Sequence, residues 1–283
     1  MIPNLDLGAF DLDAFIRATL TEDLGSGGDI TSAAVIPPGA RFTGVMDSRD
    51  AITVCGLPIA ATFLRALDPE CEIETLAGEG EQVAPGTDLM RLSGDARALL
   101  AAERSALNLV QHLSGVATLT RAYADAIAGT GATLLDTRKT LPGLRVLEKY
   151  ATRTGGATNH RMRLDDAAMI KDNHVAVAGG VAEATRRAAA AGIERIIVEV
   201  DRLDQIEPAL EAGATHFLLD NMDPATLREA VRIVGGRVPT EASGGVTLET
   251  IRAKAETGVT YVSVGRITQS APAADIGLDF SAV

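Results

Sequence analysis

The chain of 283 residues is long enough to bury a core in one or two domains, and it is nearly half apolar yet poor in aromatics. That balance belongs to a packed α/β protein, and a formal net charge of −12 with pI near 4.8 weighs against nucleic acid or an anionic membrane as partner. Cys55 and Cys71 fit neither a disulfide framework nor a zinc pattern, and the N-terminus shows no targeting pattern or membrane span, so a cytoplasmic setting is expected.

Leu12, Phe15, Ile16 and Leu20 recur at helical spacing and predict an amphipathic helix over residues 11–24, followed by a glycine-rich loop to Asp29. Alternating runs from Arg41 to Val54 predict a hairpin, residues 57–67 a helix, and 72–76 and 88–92 further strands. Residues 95–128 read as two helices broken near Ser114-Gly115. Within them Arg104, beside the apolar face of Leu99, Leu100, Leu107 and Leu109, reads as a solvated or snorkelling side chain.

After Gly131 short apolar runs alternate with Ala/Leu/Glu-rich helical segments. The runs begin near 133, 168, 195, 216, 237 and 261, and helices are expected over 181–191, 203–212, 224–234 and 247–257. Such alternation predicts βαβ units and a parallel sheet, either an incomplete, six-stranded barrel or an open doubly wound sheet. The runs end on Asp136/Arg138, Lys171, Glu199, Asp220, Glu241/Ser243 and Gly265. In a parallel β/α barrel those ends converge on one mouth, where active sites are built.

Charge singles out one region. Residues 134–174 carry eight basic and five acidic side chains, a net +3 within a chain of −12. A cationic island in an acidic protein points to a local anionic ligand, and Arg138, Lys139, His160, Arg161 and Lys171 supply donors suited to carboxylate or phosphate. Ser243-Gly244-Gly245, just before a helix, and Gly265, just after the last strand, suit close backbone approach to phosphate. Glu199 and Asp220 bind Mg²⁺ or ribose hydroxyls, or instead pair with Lys171 or Lys139. His160 and His174 lack the spacing of a zinc pair; His160 is placed for an anion, whereas His174 reads equally as a loop histidine. Two different anionic substrates are implied.

The segments DTRKTLPGLR, KYATRTGGATNHR and IKDNHV, with EDLGSGGDITS, ERSALNLVQHLSG, VEV, LLDN, EASGG and VSVGRIT in order around them, resemble the quinolinate phosphoribosyltransferases over nearly the whole chain. The resemblance implies an N-terminal α/β sandwich domain (1–115, with the tail 271–283 packed on it) and a C-terminal, incomplete α/β barrel (116–270). It implies transfer of phosphoribose from phosphoribosyl pyrophosphate to quinolinate with loss of CO2, giving nicotinate mononucleotide in NAD biosynthesis, with Mg²⁺ as cofactor. Arg138, His160, Arg161 and Lys171 would then bind quinolinate, and Lys139 would face pyrophosphate. Glu199 and Asp220 would serve ribose and metal, and Ser243, Gly244, Gly245 and Gly265 the phosphates. A homodimer is also implied, in which Arg104 reaches the neighbouring subunit's site, reversing its bland reading.

Two positions depart from the family pattern: Ala157 stands where a third glycine is usual, and Arg163 where a glycine two residues after the arginine is usual. Related proteins of molybdate-transport operons share the fold but differ around IKDNH. Other readings are a phosphoribosyl-ligand sensor without turnover, and a Schiff-base aldolase using Lys171 as nucleophile.

Overall fold

Asp11 accepts the Ala14 N–H, so α1 (Leu12–Leu24) starts where the apolar stripe starts and buries Ile16 and Leu20. The computed structural model, which describes residues 5–282, continues with α2 (Ile30–Val35), whose N-terminus is capped by Asp29. There follow β1 (Arg41–Ser48), β2 (Ile52–Thr53), α3 (Leu57–Leu67), β3 (Glu72–Thr75), β4 (Gln82–Val83) and β5 (Thr87–Asp95). The expected hairpin over Arg41–Val54 is not what forms. β1 pairs antiparallel with β5 and with the C-terminal strand, while β2 pairs with β4. Alternation along β1 fixes which face is buried, but not which chain segment lies beside it.

α4 (Ala96–Ala126) is one helix of 31 residues rather than two. Gly115 sits in its interior because the backbone of Pro272 and Ala273 crosses there, and a Cβ would collide with the Pro272 carbonyl oxygen. Close approach, not a helix break, is what this glycine supplies.

Beyond α4 the chain gives β6 (Thr133–Leu135), α5 (Arg145–Thr154), β7 (Ala168–Ile170), α6 (Asp172–Ala178), α7 (Val181–Ala190) and β8 (Ile196–Val200). After a 3₁₀ turn come α8 (Ile206–Glu211), β9 (His216–Asp220), α9 (Pro224–Val234), β10 (Thr240–Ser243), α10 (Leu248–Ala255), β11 (Tyr261–Ser263), α11 (Arg266–Gln269) and β12 (Ile276–Ala282).

Two compact units result. The first holds the described residues up to Leu119, together with Val146–Gly155 and those from Ala271 onward; the second holds Thr120–Arg145 and Gly156–Ser270. The expected boundary at 115/116 falls inside α4, and residues 146–155, expected in the barrel, join the first unit. Side-chain chemistry explains the assignment: His112 Nε2 lies 2.9 Å from the buried Glu148 Oε1, and Tyr150 OH donates to Glu79 Oε2 at 2.6 Å. The first unit is built on a four-stranded antiparallel sheet, ordered β12-β1-β5-β3.

The second unit has a six-stranded parallel sheet in the order β6-β11-β10-β9-β8-β7. Its first strand joins its last and the others follow in sequence, which is the order of a β/α barrel. Closure is incomplete: β6 and β7 are the two edges, and β6 carries only an isolated parallel bridge from Leu135 to Thr158 on its outer side. Helices lie between the strands, so the strands read as nearly continuous apolar runs. Among the described residues no helix is long and apolar enough to cross a membrane.

Candidate active site

Side chains alternate between the two faces of each strand, so parallel register decides what meets inside the sheet. Glu199, Leu218 and Glu241 are cross-strand neighbours, and two residues further along Asp220 neighbours Ser243. Ala167, Ile197 and Leu218 form an apolar cluster with Met169 packed against it. A cavity of about 680 Å³ is lined by Met169 and Leu218 and by residues at the C-terminal ends of all six parallel strands. All its lining residues belong to the second unit.

One side of the cavity is cationic. Arg138, Lys139, Arg161 and Lys171 all line it. Arg161 is buried and donates through Nη1 to the Ala167 carbonyl at 2.8 Å. Burial, and then the like charge of Arg138, push its pKa down from the ordinary arginine value. Arg138 Nε is itself buried without a hydrogen-bond partner. Two crowded guanidiniums of this kind are destabilised as they stand and favour an anion between them. Lys171 follows β7, and its Nζ bonds Glu199 Oε2 at 2.6 Å; the ion-pair alternative for Glu199 is thus the arrangement observed. His174, three residues on, accepts the Lys171 N–H through Nδ1 at 3.0 Å and caps α6.

The opposite side is built from turns. Asn221 has φ 54°, the sole non-glycine with positive φ among the described residues. Its N–H donates to the Ser243 carbonyl at 3.0 Å, and its Nδ2 donates to Asp220 Oδ2 at 2.7 Å. Gly244 lies against this turn with φ 83°, where a Cβ would come 2.9 Å from Asn221 N and collide with its side chain. Buried Lys254 of α10 donates to the Met222 carbonyl at 2.9 Å. Desolvation lowers its pKa, while Asp220 and Asp223 oppose the shift. Gly265 lies where the Lys139 stem crosses, and a Cβ there would be 2.8 Å from Lys139 Cδ. Gly245, Thr247 and Gly265 complete the lining beside Ser243 and Gly244.

His160, expected as an anion ligand, lines the cavity but has both ring nitrogens engaged by the protein. Nδ1 accepts the Arg161 N–H at 2.7 Å, and Nε2 is 3.2 Å from Glu241 Oε2. Asp136, read from sequence as part of the mouth, is wholly buried. It accepts His160 N–H at 2.8 Å and Asn159 Nδ2 at 2.6 Å, holding the 158–160 loop onto β6. Arg104 stands in the first unit, 60% exposed at its side chain, 4.0 Å from Glu103.

Both departures are accommodated. Ala157 is buried with negative φ, and the left-handed conformation falls on Gly156, φ 102°. Arg163 has a side chain 73% exposed, donates to Asp165 Oδ1 at 2.9 Å, and lines neither the first cavity nor a second of about 800 Å³. That second cavity shares Arg138, Arg161, Met169 and Lys171 with the first and is otherwise largely apolar.

Residues brought together are therefore Arg138, Lys139, His160, Arg161, Lys171, Glu199, Asp220, Ser243, Gly244, Gly245 and Gly265. Sequence reasoning missed Met169, Leu218 and Asn221. The first two sit on the inward parity of their strands and could have been found from it; the backbone conformation of Asn221 has no such signal.

The quinolinate phosphoribosyl transferase C-terminal domain model matches residues 116–279, and the N-terminal domain model matches residues 29–114. The chain is 44% identical over 270 residues to nicotinate-nucleotide pyrophosphorylase (carboxylating) of Mycobacterium leprae, covering 93% of this chain and 95% of that one. It is 39% identical to the chloroplastic protein of the same name from Oryza sativa subsp. japonica, over 95% of this chain and 77% of that one. The crystal structure of NadC from Streptococcus pyogenes superposes with TM-score 0.94 at 34% identity, covering 99% of this chain and 100% of that one. Matching models across both halves, and relatives aligned almost end to end, agree with a two-sided anion cavity on an incomplete barrel: the chain belongs to the quinolinate phosphoribosyl transferase family.

Proposed function

We propose that the protein joins quinolinate to phosphoribosyl pyrophosphate and releases CO2 and pyrophosphate, leaving nicotinate mononucleotide for NAD biosynthesis. The observation that carries this reading is one cavity that joins the crowded cations Arg138 and Arg161 to a wall of Asp220, Ser243, Gly244 and Gly245. A flat dicarboxylate and a phosphorylated sugar need these two different walls.

Arg138, Arg161 and Lys171 would take the quinolinate carboxylates, with bidentate guanidinium geometry suited to planar anions. The pyridine ring would lie against Met169 and Leu218, whose apolar surfaces reach the cavity. Ser243, Gly244, Gly245 and Gly265 offer close backbone approach to phosphate, and Lys139 a charge for the departing pyrophosphate. Glu199 and Asp220 would stand near the ribosyl carbon, where positive charge develops as pyrophosphate leaves.

The donor set fits Mg²⁺, which is commonly held by one or two carboxylates together with substrate phosphates. Glu199 and Asp220 would hold it, with Glu199 exchanging its bond to Lys171 as that lysine turns to quinolinate. When bound, the ion neutralises leaving-group charge.

In the reaction the quinolinate nitrogen attacks C1′ and the C1′–O bond to pyrophosphate breaks. The alkylated ring is a pyridinium. Its positive nitrogen stabilises, as an ylide, the in-plane electron pair left on C2 when the adjacent carboxylate departs as CO2, and C2 then takes a proton from solvent. No organic cofactor is needed.

A Schiff-base role for Lys171 requires a free amine, and its Nζ is already bonded to Glu199 Oε2 at 2.6 Å. We further propose that Arg104, exposed in this chain, completes the site of a second copy in a homodimer. The test is nicotinate mononucleotide formation from quinolinate, phosphoribosyl pyrophosphate and Mg²⁺, with Lys171→Ala alongside. Product that requires all three components and Lys171 is expected. Ligand binding without product would instead favour the sensor reading.

A further inference from the structure

The proposed chemistry leaves one carboxylate of the cavity lining without a role. Glu241 is the second residue of β10, lines the cavity, and is 0% exposed. His160 Nε2 approaches its Oε2 at 3.2 Å. His216 Nε2 lies 3.0 Å from the same oxygen, outside hydrogen-bonding angle. Burial works against this carboxylate, but its contacts with His160, His216 and Ser263 outweigh it and hold the pKa at about 2. It is therefore a fixed negative charge.

The other nitrogen of His160 settles the tautomer. Nδ1 accepts the Arg161 backbone N–H at 2.7 Å, so it carries no proton, and the ring's remaining proton sits on Nε2, directed at Glu241. Three groups are thus linked in series, from carboxylate through imidazole to the backbone of Arg161. Arg161 needs such an anchor, since it is crowded by burial and by Arg138. At its tip Nη1 is tied to Ala167 O; at its root the N–H is tied to His160.

We propose that Glu241 is a positioning residue for quinolinate recognition, fixing the tautomer and rotation of His160 so that His160 holds Arg161 facing the cavity. The inference rests on the functional reading for the identity of the ligand, but not for the linkage itself. A neutral side chain at position 241 can donate as well as accept, so the ring is free to exchange tautomers or flip, and the Arg161 N–H loses its acceptor part of the time.

Glu241→Gln, of equal size, tests this. In protein labelled with ¹⁵N-histidine, His160 is expected to show protonated Nε2 and bare Nδ1, with its signals identified by their loss in His160→Gln. In Glu241→Gln a mixture of tautomers is expected. By calorimetry quinolinate affinity should fall about tenfold, equivalent to about 1.4 kcal/mol, with phosphoribosyl pyrophosphate affinity within about twofold of wild type; Glu241→Asp should lie between. An unchanged tautomer in Glu241→Gln, or equal loss of both affinities, overturns the proposal. Should Glu241→Gln not fold, wild type alone decides: a proton on His160 Nδ1 overturns it, and a bare Nδ1 with protonated Nε2 supports it. Wild-type protein that binds quinolinate but makes no nucleotide would remove the functional reading and leave this assignment standing.

Discussion

Gly265→Ala is the sharpest test of the role given to Lys139. Gly265 has φ −73° in the right-handed helical region, so alanine fits its backbone without strain. What the methyl meets is Lys139, with Cδ only 2.8 Å from the ideal Cβ position. Carbon atoms in good contact sit about 3.5–4.0 Å apart, so the lysine stem must retreat by roughly 1 Å. The backbone of Lys139 is held from both sides, its N–H donating to Thr137 Oγ1 at 3.0 Å and its carbonyl accepting from Thr268 Oγ1 at 2.6 Å. The retreat therefore falls on the side chain and moves the ammonium. A 1 Å misplacement of a positioned group costs up to about 100-fold, so kcat/KM for phosphoribosyl pyrophosphate should fall about 10- to 100-fold. Tm should move by less than about 2 °C, since neither strain nor a lost bond accompanies the change. Lys139→Ala should lose a similar amount, and the double variant little more, because both act on one group. Activity within twofold of wild type, or a loss accompanied by a Tm drop of several degrees, would refute the reasoning.

Gly244→Ala should behave differently. Its φ of 83° and the nearby Asn221 backbone impose both strain and collision, so stability by urea unfolding should drop by about 1–3 kcal/mol together with activity. The Glu241 carboxyl, held at about 2 when folded and near its ordinary value when unfolded, stabilises the fold above the unfolded pKa and loses that contribution as pH falls toward 2. The urea midpoint of wild type should therefore fall more steeply between pH 5 and pH 3 than that of Glu241→Gln; parallel slopes would count against the assignment. Arg163→Gly should leave both Michaelis constants within about twofold of wild type, because the exposed side chain pairs with Asp165 and lines neither cavity.

The second unit was readable because its signal is local. Runs such as RIIVEV and HFLLD are short and mostly apolar with a carboxylate at or next to the end, and parallel register does the rest, bringing Glu199, Asp220 and Ser243 into one cavity. Where local pattern and distant packing compete, sequence reading failed. Gly115 looks like a helix break until the backbone of Pro272 is seen against it. Residues 145–154 were not read as a helix, since Glu148 and Lys149 occupy buried positions where apolar residues would have marked the period. For His160, which lines the cavity as expected, the sequence does not show its ring contacts, with Glu241, far along the chain, and with a backbone N–H. Spacing shows which residues have chemistry to offer, but not whether that chemistry is already spent inside the protein.

The strand pairings also bear on how the molecule is made. β6 lies beside β11, and β1 beside β12, so each unit joins an early strand to one from the end of the chain. During synthesis neither sheet can be finished until its late strand, β11 or β12, has left the ribosome, and the first unit cannot fold ahead of the second in the usual N-to-C order. Until then β1 presents an unpaired edge to its surroundings. A message truncated between residues 271 and 276 would yield a chain with every cavity residue present and that edge uncovered, a substrate for quality control rather than an enzyme.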